Sequence, residues 1–217
     1  VTWAVNAFQF LSKGGPVMIP LILCSIISLA VMFERFIRLH RASGNTDSLM
    51  SRIEGLLALG KSADAIRLCE VEGTPVAQML ASGLSCHNAS LAERCMEEYA
   101  LKTMPELHKR LSILDTIITI APLLGLLGTV TGMIRAFHVI STKTGLGTPT
   151  AITGGVAEAL IATATGLAIA ICTLVGYNYL IEKAKVIISD METYGTRLVN
   201  ILSSGEEENH EVKAVGA

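Results

Sequence analysis

Residues 151–181 read AITGGVAEALIATATGLAIAICTLVGYNYLI, and the only charged side chain among them is Glu158. A helix needs about 20 predominantly apolar residues to cross the hydrocarbon of a bilayer, so the stretch predicts a membrane span over 151–181. A charged side chain at that depth costs about 2.5 to 3.5 kcal/mol on insertion scales, and such groups face a bundle interior or a wet passage rather than lipid. Glu158 is therefore the first candidate for a functional group, and its chemistry suits proton handling. The plainer alternative is a structural carboxyl hydrogen-bonded between helices.

Upstream, no charge interrupts the chain between Asp115 and Arg135, which predicts a second span over 113–139. Gly145, Gly147 and Pro149 mark a short turn over 140–150 between the two. A first span covers 16–33, PVMIPLILCSIISLAVMF, with Lys13, Gly14 and Gly15 before it and Pro16 suited to a first helical turn. That run lacks a small-residue cleavage site and is followed at once by Glu34, Arg35, Arg38 and Arg41, so a retained anchor is expected rather than a leader. Composition agrees: the 217-residue chain is 51% hydrophobic and 17% charged, against about 25% charged for an average soluble domain. Lysine and arginine concentrate between the first and second spans and in the tail. The positive-inside bias then puts 1–15 and the 140–150 turn on the periplasmic side, and 34–112 and the tail in the cytoplasm.

The segment 34–112 has helical rather than alternating periodicity. Leu49, Ile53, Leu56 and Leu57 repeat behind Thr46 and Asp47 as cap candidates; a short helix covers 63–70, and Pro75 restarts another through Leu84. Ser90 with Glu93 has the form of a capping box opening a helix toward Leu111, with Pro105 as a kink site, so the second membrane helix is expected to extend well beyond the bilayer. After the third span, Leu180, Ala184, Ile187, Met191, Tyr194, Leu198 and Ile201 form a narrow helical stripe over a 182–204 extension. Residues 205–217 are expected to be disordered. The expected fold is thus all-α: a polytopic membrane protein with three spans, two of them extended into a cytoplasmic helical domain.

Around Glu158, Ala162 and Thr165 share its helix face, while Thr163 lies about 140° away. Thr116, Thr119, Thr129 and Thr131 add hydroxyls to the second span, although membrane threonines commonly bond only their own backbone. Gly125, Gly128, Gly132, Gly154, Gly155 and Gly166 permit close helix approach; with no strand before them they serve packing, not a phosphate loop. The five cysteines, Cys24, Cys69, Cys86, Cys95 and Cys172, read as reduced and structural. Cys86, His87, Cys95 and His108 fit no usual zinc spacing, so no metal is expected. No nucleophile elbow or cofactor motif is present, and no enzyme is expected. A net charge of −2 and 5% aromatics give no reason to expect nucleic acid.

The stretch APLLGLLGTVTGMIRAF over 121–137, with Thr129, resembles the second-span motif of the MotA/TolQ/ExbB proton channel family. GGVAEALIATATGLAIA over 154–170, with Glu158 and Thr163, resembles its third-span motif. Gly14 through Pro20 followed by Glu34 and Arg35 looks like the family's opening, so the likeness covers nearly the whole chain and fits the ExbB/TolQ branch better than the four-span flagellar stators. Thr131 departs from the tryptophan that many members carry there. The resemblance implies a homo-oligomeric ring, typically a pentamer, around the single span of an ExbD- or TolR-like partner. It further implies that Thr129, Glu158 and Thr163 line a proton pathway, to which Thr165 is added as a pore-lining candidate from its helix face. Proton flow would energise a TonB- or TolA-like periplasmic transducer from the inner membrane. Two alternatives remain: a scaffold that only holds a partner helix, and a small solute transporter, for which no pair of inverted, broken spans is evident.

Overall fold

In the computed structural model, residues 14–86, 88–142 and 149–215 are described, the side chains of 139, 140, 142, 149–152 and 206–215 excepted. The predicted amino-terminal segment and most of the 140–150 turn lie outside them. Among the described residues the chain forms only helices: α1 (Met18–Ala42), α2 (Thr46–Ala58), α3 (Ser62–Glu72), α4 (Pro75–Leu84), α5 (Ala89–His108), α6 (Leu111–Thr142) and α7 (Pro149–Val215). Three stretches, carried by α1, α6 and α7, are long and apolar enough to cross a membrane.

The chain divides into two units. The membrane unit takes 14–34, 110–142 and 149–179 of the described residues. Its core is small: Val17, just before α1, and Met18 and Leu21 of α1 meet Ile117 and Ala121 of α6 and Ala162 and Ala170 of α7, with Cys24, Leu124 and Ile169 packed against them. Ile19, Phe33, Phe137, Leu160 and Val175 remain exposed, as residues that meet acyl chains should. Few bulky side chains fit between α6 and α7 because alanine and glycine occupy the seam.

The helical unit takes 35–109 and 180–215. Here the predicted stripe on α7 is the spine: Leu180, Ala184, Ile187, Met191, Tyr194 and Leu198 are all buried. Leu49, Met50 and Ile53 of α2, Ala65 and Cys69 of α3, Val76, Ala77, Met79 and Leu80 of α4, and Ala92 and Met96 of α5 supply the rest of that core. Burial pushes the Cys69 thiol up to about 11, and the neighbouring Glu70 charge adds to the shift. Arg197 clamps Glu54 through two contacts, Nε to Oε1 at 2.6 Å and Nη2 to Oε2 at 2.9 Å. Tyr194 donates its hydroxyl to Asp47, which raises its pKa to about 12.

Several local expectations are corrected. Asn45, not Thr46 or Asp47, caps α2 by accepting from the Ser48 amide at 3.3 Å. Asn88, not Ser90, caps α5 by accepting from the Leu91 amide at 2.8 Å. Asparagine is as good an N-cap as serine, and each lies upstream of the expected cap. Thr74 caps α4 ahead of Pro75 at its first turn, as the proline suggested. Pro105 lies inside α5 without ending it. The interruption falls instead at Lys109, which is extended, and Arg110, whose φ of 64° is left-handed. A non-glycine residue there is uncommon, and the Arg110 guanidinium pairs with Glu34 within the membrane unit.

Helix α7 runs to Val215, where Glu, Lys and Ala are good helix formers and no proline stops them. The end of α4 packs along α5 and brings the Cys86 and Cys95 sulfurs against one another, with Cα atoms 7.3 Å apart. Cys24, Cys69 and Cys172 are free thiols. His87 lies outside the described residues, and the His108 ring meets the Met104 carbonyl at 3.0 Å.

Candidate functional site

The seam between α6 and α7 is built from residues without side-chain bulk. A Cβ placed on Gly166 would come within 2.5 Å of the Ala121 carbonyl oxygen, and one on Gly132 within 2.8 Å of the Gly155 carbonyl oxygen. Added to Gly155, it would meet Ala136 Cβ at 2.9 Å; added to Gly128, Ala162 Cβ at 2.4 Å; added to Gly125, Thr163 Cα at 3.0 Å. Gly154 meets nothing within 4 Å and takes no part in the seam. Lipid tails are as apolar as the helices, so association there rests on close packing and interhelical hydrogen bonds. One such bond joins the two helices: Thr163 donates Oγ1 to the Gly125 carbonyl at 2.9 Å.

Glu158 sits on α7 at the edge of this seam, its side chain 19% exposed. Arg135 of α6 donates Nη1 to Glu158 Oε1 at 2.7 Å, so the carboxylate is met by a guanidinium from the neighbouring helix. On its other side lies the turn that opens α1. Gly15 has φ +72°, and a Cβ on it would fall 1.7 Å from Glu158 Oε1. No residue with a side chain fits there without moving the carboxyl group. The glycine thus meets two demands together, a left-handed backbone and a direct approach to the acid.

The remaining candidates are less tightly tied to Glu158. Thr129 donates to the Leu126 carbonyl at 2.6 Å and Thr165 to the Ile161 carbonyl at 2.8 Å, both within their own helices. Thr131 does the same toward Leu127 and Gly128. Each hydroxyl is half-buried or partly exposed. Hence Glu158 is brought to Arg135 and Gly15, and Thr163 to Gly125, while Thr129 and Thr165 keep to their own backbones. Arg135 and Gly15 as neighbours of the acid were missed by reading the spans one at a time. Arg135 and Glu158 flank the short turn at nearly equal distance along the chain, which was the available signal.

A sequence profile described as the MotA/TolQ/ExbB proton channel family matches residues 72–193. Among individual proteins, a biopolymer transport protein named ExbB-like 3 from Synechocystis sp. is 31% identical over 76% of this chain and 80% of its own. ExbB-like 1 of the same organism is 34% identical over 78% of this chain and 68% of its own. Biopolymer transport protein ExbB of Neisseria meningitidis is 26% identical over 87% of this chain and 93% of its own.

Proposed function

The chain belongs to the MotA/TolQ/ExbB proton channel family, on its ExbB side, and we propose that it is the channel subunit of an inner-membrane motor driven by the proton motive force. In this reading it surrounds, as a homo-oligomer and typically a pentamer, the single span of an ExbD- or TolR-like partner. Protons cross beside Glu158, with Thr129, Thr163 and Thr165 along the path, and a TonB- or TolA-like transducer receives the work. The amino terminus and the 140–150 turn face the periplasm; the helical unit and the tail face the cytoplasm. Each charge moving through 100 mV releases about 2.3 kcal/mol, enough for repeated small movements of a partner helix.

The observation that carries the reading is Glu158 itself, a carboxylate within a span of otherwise uncharged residues, mostly removed from solvent and flanked by small residues. The test is proton flux into vesicles holding the full complex, with and without Glu158→Gln. Loss of flux with normal assembly is expected. Full flux from a correctly assembled variant overturns the reading.

The pairing of Glu158 with Arg135 also favours a second reading, in which the acid is structural and the chain a non-conducting scaffold. Under it Glu158→Gln keeps transport, whereas enlarging Gly125 or Gly128 abolishes complex formation.

A further inference from the structure

We infer that the groove between α5 and α7 is a docking site for a cationic, apolar-anchored protein segment, the cytoplasmic flank of a partner's single membrane span. The inference rests on the proposed reading, in which such a partner is present and the helical unit faces the cytoplasm. It adds where the partner is gripped outside the bilayer. The groove has a volume of about 520 Å³ and lies wholly within the helical unit. Met79, Met96 and Met191 close its floor and are almost completely buried. Leu101, at 63% exposed, Met104 and Val199 line the part open to solvent. Unbranched methionine adapts its shape to an incoming apolar side chain. Gly195 adds room: a Cβ there would meet only Met79 Cε, at 3.3 Å, so a residue without a side chain keeps the groove open.

The rim is acidic. Glu93 and Glu97 come from α5 and Glu192 from α7, all three exposed. Among the described residues no lysine or arginine lines the groove. Of the cations nearby on the same helices, Lys102 pairs with Glu98 and Arg197 with Glu54. Glu93 and Glu97 also stand four residues apart on α5, a spacing at which like charges weaken a helix. A cation seated between them removes that cost. An apolar floor under a rim of one sign calls for bulky apolar side chains flanked by lysine or arginine, laid into the groove. The positive-inside bias gives a membrane protein such a flank on the cytoplasmic side of its span. This chain's own tail does not match, because Glu206, Glu207 and Glu208 would be repelled by the rim.

The experiment titrates a short fluorescent peptide of leucine and lysine, its leucines at helical spacing, into the full chain held in phosphatidylcholine nanodiscs. Empty nanodiscs and a peptide with glutamate for each lysine are the controls. The lysine peptide should bind the native chain, more weakly as salt rises. Glu93→Lys/Glu97→Lys/Glu192→Lys, changed only at exposed positions, should bind about tenfold more weakly or worse. Gly195→Leu, which fills the groove without altering its charge, should also lose affinity. Should either variant fail to fold, Leu101→Asp, at a side chain already exposed, takes its place with the same expected loss. A photoreactive group on the peptide should mark α5 and α7 at the groove. Native affinity in the variants, equal binding of the glutamate peptide, or marks confined to other faces overturns the inference. So does absence of binding to the native chain, including the case in which a second copy fills the groove and Gly195→Leu shrinks the native assembly. Proton flux through Glu158→Gln tests the channel reading on its own: flux lost there, with no peptide bound by the native chain, sinks this inference alone.

Discussion

The two units of the chain solve packing in opposite ways. In the helical unit, Leu, Ile and Met from several helices converge on the α7 stripe; Gly55 meets nothing within 4 Å there, and Gly83 packs on a Met96 side chain, not on backbone. In the membrane unit the bulky side chains point outward, and backbone meets backbone at Gly166, Gly132 and Gly155. Water drives large apolar groups together in the first unit, whereas lipid gives them no reason to hide in the second. Small residues carry the seam near residue 160, whereas near residue 191 the small Ala184 and Gly195 sit among large apolar side chains that fill the core.

The sharpest break of that contrast is Gly166→Leu, which must force a side chain into the Ala121 carbonyl. We expect loss of the assembled membrane unit, seen as failure to accumulate or as aggregation in detergent. Normal accumulation would remove the distinction. Next in size is Leu198→Ala in the helical unit, expected to lower stability by about 2 to 5 kcal/mol, measurable as a lowered unfolding midpoint of the solubilised chain.

Asp190 gives a smaller, pH-dependent effect. Partial burial, with the Asp47 charge adding, raises its pKa above the ordinary aspartate range. The ionised form is thus penalised in the folded chain: the penalty is full at neutral pH and fades as pH falls through the raised value. Asp190→Asn should therefore be the more stable protein at neutral pH, and its advantage should disappear on acidification. A difference that grows at low pH would contradict the assigned cause.

The smallest effect has the opposite sign to the first. Gly55→Ala, in the interior of α2 with open space around it, should stabilise by roughly 0.5 to 1 kcal/mol. A destabilisation there would show that Gly55 has a packing role that the open space around it does not suggest.

These contrasts also account for what the sequence could reveal. Periodicity exposed the α7 stripe because most of its members are large and apolar, so pattern and burial coincide from Leu180 to Leu198. The three spans were equally plain, since Glu158 is the only charge across the third. Helix starts were misplaced where Asn45 and Asn88 outcompeted nearby Ser and Thr candidates, a choice decided by local geometry that spacing does not encode. The Cys86–Cys95 pairing was missed because it depends on two helices lying side by side. The surroundings of Glu158 were hidden for a related reason. Arg135 reads as the polar end of one helix until an antiparallel neighbour is drawn beside it, and Gly15 reads as a loop residue until α1 is packed.

The contact between Gly15 and Glu158 has a practical consequence. Gly15 contributes no side chain, so a survey that trims residues to alanine removes nothing at that position and instead adds a methyl group beside the acid. Such a survey would record this position as intolerant for reasons of crowding. Probing by enlargement, not by deletion, is what makes this neighbour of the carboxyl group visible.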